Sequence, residues 1–291
     1  RVLAGARKPL LVHAELVTDP PDWNGPDSSH AAWAATRPVR FEHDAVQLLA
    51  DIAARTGAHI HVVHVASADT PVIARAQLAQ ARLAGRLHTP LDVSGGRMTF
   101  ETCPHYLMLA AEDVPDGAVQ FKCAPPLQPA REVQRLWEWV CAEEVMVVSD
   151  HSPAPPARKL VDTGDLRRAW GGIASLQLTL PLVITGMREH TGTADAAQIA
   201  RMMCTIPANL AGLLHKGRIT SGADADFVVV NPHDSFVVRG AELHHRWPLT
   251  PYEGMQLSGV VHQTWLRGQC IYTRTATDPF ASADPRYARN V

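Results

Sequence analysis

Leu10-Leu11-Val12-His13, His61-Val62-Val63-His64 and Val145-Met146-Val147-Val148-Ser149-Asp150 decide how this chain folds. Each is an apolar run of aliphatic and β-branched residues, the composition of a buried strand. Each ends in an imidazole or a carboxylate, where strand should give way to loop. Helical patterns separate the runs, so the strands are predicted to be parallel with their C-terminal ends on one face. Metal-capable side chains converging on that face make a metal-dependent enzyme the leading reading.

Strand and helix alternate from residue 9 to about residue 214. Strands are predicted at 9–15, 59–66, 98–103 and 145–149. Helices are predicted at 41–56, 70–83 and 173–187, with one more carrying Leu136, Trp137 and Val140, and two shorter ones ending near Leu214. The 41–56 helix turns Ala45, Leu48, Leu49, Ile52 and Ala53 to one side, and Gly57 stands where a left-handed residue ends a helix. Residues 18–40 read as a polar, proline-rich loop. Alternation of this kind means a parallel sheet covered by helices, either a (β/α) barrel or a doubly wound sheet. No Gly-x-Gly-x-x-Gly follows a strand, and reactive side chains at several strand ends suit a barrel better.

The texture changes after Lys216-Gly217. A turn at Gly222-Ala223-Asp224-Ala225-Asp226 leads into strands at 227–231, 235–239, 260–266 and 270–273, a small antiparallel β region, and the last dozen residues read as a tail. The predicted division is therefore an α/β barrel portion over 1–215 and a β segment over 216–291.

Composition bounds the function classes. The 291 residues are 46% hydrophobic and 19% charged, ordinary for a globular protein with a large core. A net charge of −2 gives no basic field for nucleic acid or for an anionic membrane. No apolar run reaches the roughly 18 residues of a membrane span. Five cysteines with no C-x-x-C pair argue for reduced thiols in a cytosolic protein. Residues 1–8 lead straight into a strand and read neither as a signal peptide nor, without a Met, as a natural start.

Taken alone, His13 reads equally as a core histidine or as a ligand. The second segment holds His59, His61 and His64. Period-2 alternation puts His59 and His61 on one face and His64 on the other, at the strand's C-terminal end, which makes His64 the ligand candidate. His59-Ile60-His61 imitates an H-x-H metal pair but opens its strand, so a helix-facing or edge pair is the favoured reading there. Asp150 can serve as an N-cap, yet Pro153-Ala154-Pro155-Pro156 beyond it reads as loop. At a barrel strand end it is placed to bind metal and to move a proton. His151 and Ser152 read either as pocket lining or as structural loop residues.

Glu101-Thr102-Cys103-Pro104-His105-Tyr106-Leu107 and Lys122-Cys123-Ala124-Pro125-Pro126 sit at further strand ends. Together with His13-Ala14-Glu15, Val63-His64-Val65, Ser149-Asp150-His151-Ser152-Pro153 and Trp170-Gly171-Gly172-Ile173, they follow an order that resembles the allantoinases, in the cyclic-amidohydrolase branch of the amidohydrolase superfamily. Gly217-Arg218-Ile219, Asp224-Ala225-Asp226-Phe227 and Pro251-Tyr252-Glu253-Gly254 extend the resemblance over nearly the whole chain.

The resemblance implies the C-terminal half of a (β/α)8 TIM barrel followed by part of a small β-sandwich. It implies two divalent metal ions, zinc foremost, with His13, His64 and Asp150 as ligands and Asp150 also as general base. It further places Cys123, Ala124, Ser152 and Gly172 at the substrate, a cyclic ureide such as allantoin, and implies a homo-oligomer, a tetramer, for the complete protein. Hydantoinase, dihydropyrimidinase or dihydroorotase activity is the alternative. A non-catalytic relative kept for binding or assembly is the competing class. Two departures stand out. Gln128 occupies a position where the family usually has Arg. Nothing in the chain matches the family's H-x-H pair or its carboxylated, metal-bridging lysine, since Lys8 precedes its strand instead of ending it. The expectation is a chain that is inactive by itself.

Overall fold

The computed structural model describes residues 5, 8–84, 97–274 and 280. The start and the tail read above therefore lie largely outside the described residues. The chain divides into two units, residues 1–150 with 154–173, and residues 151–153 with 174–291.

In the first unit, β1 (Leu10–Val12), β2 (His59–Val62), β3 (Arg97–Thr102) and β4 (Met146–Val147) lie side by side in chain order, all parallel. Leu11 stands opposite His61, His61 opposite Thr99, and Thr102 opposite Val147. Between them run α1 (His30–Thr36), α2 (Arg40–Thr56), α3 (Asp69–Leu83), α4 (Pro104–Met108) and α5 (Ala130–Cys141), and α6 (Pro156–Lys159) follows β4.

Alternation along β2 and β3 sorts their side chains. Ile60 packs with Ala53, Ala58, Val12, Leu49, Ile52, Leu78 and Met98, the helix-covered side of the sheet. His59, His61, Thr99 and Glu101 take the other side and bond to one another. These strands are thus apolar on one face only, not on both. Leu10 and Leu11 are exposed, because β1 is the end strand of the sheet among the described residues.

β1, β2 and β4 are also shorter than predicted. His64 and Asp150 both take left-handed backbone, φ 40° and 43°, which turns the chain out of the ladder. Hydrogen bonding runs on just to that point, with Val65 N donating to the Glu101 carbonyl (2.8 Å) and Val148 N to that of Thr102 (3.0 Å).

Gly57, at φ 70°, ends α2 with its N–H on the Ala53 carbonyl, as the sequence suggested. The buried stripe of that helix is Phe41, Ala45, Val46, Ala50, Ala53 and Ala54; Leu48 faces solvent, so the predicted face was rotated by part of a turn. Residues 18–40 are not all loop. Ser29 accepts from Ala32 N and caps α1, a signal that the surrounding prolines masked.

In the second unit, α7 (Thr179–Thr191), α8 (Ala196–Ala200) and α9 (Ile206–Ala211) precede an antiparallel sheet of β5 (Phe227–Val237), β6 (Gln256–Leu266) and β7 (Gln269–Thr273). The helix predicted over 173–187 begins later, because a 3₁₀ turn at Leu176–Leu178 comes first, and runs to Thr191, where Gly192 caps it. The strands predicted at 227–231 and 235–239 are one strand, with a break in register between Asn231 and Ser235 where Asn231 accepts from His233 N. Packing of α7 on β6 requires Gly259. It has φ 95°, and a Cβ there would meet Ile184 Cδ1 at 2.6 Å.

Candidate metal centre

β1 and β2 deliver two imidazoles into contact. His13 Nδ1 faces His64 Nε2 at 2.9 Å. His13 presents its other nitrogen, Nε2, to Glu15 Oε2 at 2.9 Å. Glu15 is in turn gripped by Arg37, whose Nε reaches Oε1 at 3.1 Å and whose Nη2 reaches Oε2. Burial pushes the Glu15 carboxyl up, but hydrogen bonds from His13 and Arg37 outweigh it and hold the group below its ordinary value. An ionised Glu15 accepts only, so His13 carries its proton on Nε2 and turns a lone pair toward His64. This is the carboxylate–histidine arrangement that orients imidazoles on metals.

The donor set fits a divalent cation. Ligand bonds of about 2.0–2.1 Å in a tetrahedral centre set two nitrogens roughly 3.3 Å apart, so the pair needs to open by only a few tenths of an ångström. His64 is 8% exposed, and its Nδ1 has no hydrogen-bond partner among the described residues. Burial, helped by His13, drops its pKa to about 4, so the ring is neutral and able to bind metal at physiological pH.

Asp150 follows β4 with its backbone in the left-handed region, as His64 does. Residues held there cluster at functional sites. Burial, then the charge of Glu101, raise its carboxyl above the ordinary range, while His13 acts in the opposite sense. The residues that meet directly around Asp150 are two that the sequence reading quotes within the Glu101–Leu107 motif without giving them a role: its carboxylate, Cys103 Sγ and a His105 ring nitrogen all lie within 4.8 Å of one another. No periodicity marks these two residues, because they sit where β3 ends and α4 begins.

The H-x-H imitation resolves differently from expectation. His61 is fully buried, with Nδ1 on Thr99 Oγ1 (2.8 Å) and Nε2 on Glu101 Oε2 (2.9 Å); His59 Nε2 shares Thr99 Oγ1 (2.8 Å). It is neither helix-facing nor at an edge, since β2 lies between β1 and β3 and Ile60 takes the helix side.

The predicted substrate residues lie in a tied framework. Cys123 is buried and its carbonyl accepts from Trp33 Nε1 (3.1 Å); the Ala124–Pro125 peptide is cis. Gly172 N donates to the Lys122 carbonyl (2.8 Å), and Lys159 Nζ donates to the carbonyls of Gly172, Val119 and Lys122. Lys122 Nζ donates to Ala169 (2.8 Å) and lies over the Trp33 ring. Gln128 folds back onto the Pro126 carbonyl. In the sequence, Trp33 and Lys159 pass unnoticed and Lys122 stands only within its quoted motif, since the burial that makes them framework residues depends on neighbours distant in sequence. In the second unit Ser152 is half-buried, and His151 Nδ1 accepts from the N–H groups of Ser175 and Leu176 (3.1 Å each), which makes His151 a cap for the turn at Leu176.

Comparisons with known proteins give the family and the fold. The amidohydrolase family model matches residues 29–271. Allantoinase from Streptomyces avermitilis is 41% identical over 92% of this chain and 57% of its own length. Allantoinases from Saccharomyces cerevisiae (38%; 94% and 57%) and Arabidopsis thaliana (36%; 93% and 53%) are similar too. The chain thus spans little more than half the length of these curated relatives. Among solved structures, dihydropyrimidinase from Brevibacillus agri superposes with a TM-score of 0.78 at 24% identity, covering 97% of this chain and 61% of that one. L-hydantoinase (dihydropyrimidinase) from Arthrobacter aurescens gives 0.76 at 24%, covering 93% and 58%. At such identity the likeness carries the fold, part of a TIM barrel followed by part of a small β-sandwich. The family is generally metal-dependent. With a match that runs from α1 into β7, this chain belongs to the amidohydrolase family.

Proposed function

We propose that the chain forms the metal-ligating part of a cyclic amide hydrolase, an allantoinase that opens the hydantoin ring of allantoin to allantoate. The observation that carries this is the His13–His64 contact backed by Glu15 and Arg37, an arrangement with the chemistry of a metal pocket. Sequence favours allantoin over other cyclic amides: the allantoinases match at 33–41% identity and the hydantoinases at 22–26%.

His13 through Nδ1, His64 through Nε2 and Asp150 through a carboxylate oxygen would hold two divalent ions, and nitrogen and oxygen donors suit zinc. Bound there, the ions supply Lewis-acid polarisation of the ring carbonyl and a water acidified toward neutral pH. Asp150 takes a proton from the attacking water and delivers it to the ring nitrogen as the C–N bond breaks. Its raised pKa brings the group closer to the working pH, which suits that exchange. Cys123, Ala124 and Gly172 orient the substrate, within the framework that Lys122 and Lys159 tie together. The remaining ligands, an H-x-H pair and a bridging lysine, come from polypeptide outside these 291 residues, and the chain alone is inactive. The complete protein is a cytoplasmic homotetramer. Five free cysteines fit that compartment.

The test is ring opening of allantoin, a 5-substituted hydantoin, dihydrouracil and dihydroorotate, with the chain alone and joined to a segment supplying the missing ligands. Allantoin turnover only in the joined form is the expected result. Full activity of the chain alone refutes the split site; turnover of none of the four, with no metal by elemental analysis, refutes the enzyme.

A further inference from the structure

We propose that Cys103, His105 and Asp150 form a second cation site, selective for a thiophilic divalent ion such as Cd2+ or Zn2+ and separate from the His13–His64 pair. The proposal shares Asp150 with the function proposed above but does not rest on that reading.

Three donors of different chemistry, a sulfur, an imidazole nitrogen and a carboxylate oxygen, lie mutually within 4.8 Å. Ligand bonds of about 2.0–2.3 Å set such donors roughly 3.3–3.8 Å apart around a tetrahedral ion, so a closure of about 1 Å completes the site. Asp150 is the exposed member of the three. The other two donors are fixed. Cys103 follows β3 in extended backbone as the N-cap of α4, Pro104 starts that helix, and one residue later His105 is held within the same turn.

The independent pointer is His105. It is 1% exposed, and both of its ring nitrogens lack a hydrogen-bond partner among the described residues. Buried polar atoms are almost always satisfied, and one that is not calls for a water, an ion or a ligand. Burial, with His64 nearby, keeps the ring neutral, the form that binds metal. Sulfur and nitrogen donors select Zn2+ or Cd2+ over Mg2+ or Ca2+. Burial makes the Cys103 thiol reluctant to ionise, so the ion must displace its proton; one proton leaves to solvent as the metal–sulfur bond forms. An ion seated there occupies the carboxylate of Asp150 and withdraws it from any proton transfer.

The experiment uses the 291-residue chain with Cys204→Ser, which removes the exposed thiol, and titrates it with Cd2+ while following the ultraviolet thiolate-to-metal charge-transfer band. The proposal expects a saturable band that disappears in Cys103→Ser and persists in Cys123→Ser and in His13→Ala/His64→Ala. His105→Asn should weaken binding by roughly tenfold or more, since one donor of three is lost. A band that survives Cys103→Ser, or the absence of any band, overturns it. So does loss of the band in the His13/His64 double variant, which would return the ion to the pocket proposed above. If Cys103→Ser fails to fold by circular dichroism, His105→Asn decides, and unchanged Cd2+ affinity refutes the site.

Discussion

Glu15 offers the most direct perturbation of the histidine pair, because it acts on His13 without being a ligand. Its Oε2 accepts from both His13 Nε2 and Arg37 Nη2, and its Oε1 accepts from Arg37 Nε alone. In Glu15→Gln the amide oxygen can take the Oε2 place and keep the bond to His13. What is lost is the negative charge and the Arg37 Nε bond. In Glu15→Ala both go, the His13 tautomer is no longer fixed, and Arg37 is stranded against a buried pocket. A carboxylate that orients a metal-binding imidazole in this way is worth about 10–100-fold in metal affinity, or roughly 1.4–2.7 kcal/mol. The glutamine variant should fall near the lower end and the alanine variant near the upper end. Zn2+ affinity of the chain, measured by competition with a chromogenic chelator on samples matched by circular dichroism, reads this directly. Affinities of both variants within about twofold of the parent, with the fold intact, would show that the Glu15–His13 contact does not prepare a ligand.

Other outcomes follow from burial. Glu42 is fully buried, and burial lifts its pKa from 4.5 to about 7 against donors at Thr70, Ala66 and Ser67. A raised folded pKa gives stability that is whole below about pH 4.5 and is lost as pH rises through about 7. Urea unfolding should show that decline, at most roughly 3 kcal/mol at about 1.4 kcal/mol per unit, and Glu42→Gln should flatten it. Glu15 has the opposite sign: its pKa is lowered, so its contribution is present above about 4.5 and fades as pH falls below that value. Lys159→Met removes a buried ammonium from three carbonyls and should cost about 3 kcal/mol or more, seen as a lower melting temperature; an unchanged melt denies it a structural role. Gly259→Ala drives a Cβ into Ile184 at positive φ and should destabilise the second unit by about 1–3 kcal/mol, again by thermal melting.

Much of the parallel sheet was legible because an apolar run ending in His or Asp carries both its geometry and its chemistry locally. His13 and His64 belong to that kind of signal, and they do meet. Arg37 does not, since it reaches Glu15 from the C-terminal end of a helix hidden among prolines. The unpartnered ring of His105 depends on what surrounds it in space, which neighbours in sequence do not encode. Leu48 was placed on the wrong side of α2 because small alanines, not large leucines, fill the close contact behind that helix. The single strand β5 was split in two by Asn231-Pro232-His233-Asp234, which reads as a turn but here only breaks the register.

The left-handed backbone at His64 and Asp150 has an evolutionary consequence. At such φ values β-branched and bulky side chains are strained, whereas Asn, Asp, His and above all Gly are tolerated. The positions therefore admit a short list of successors whatever the selection on chemistry. A lineage that gives up metal would drift there toward Asn or Gly and not toward Val or Ile. Such a descendant keeps its bend after its reaction is gone, so residue type at these two bends would separate retired members of the family from working ones.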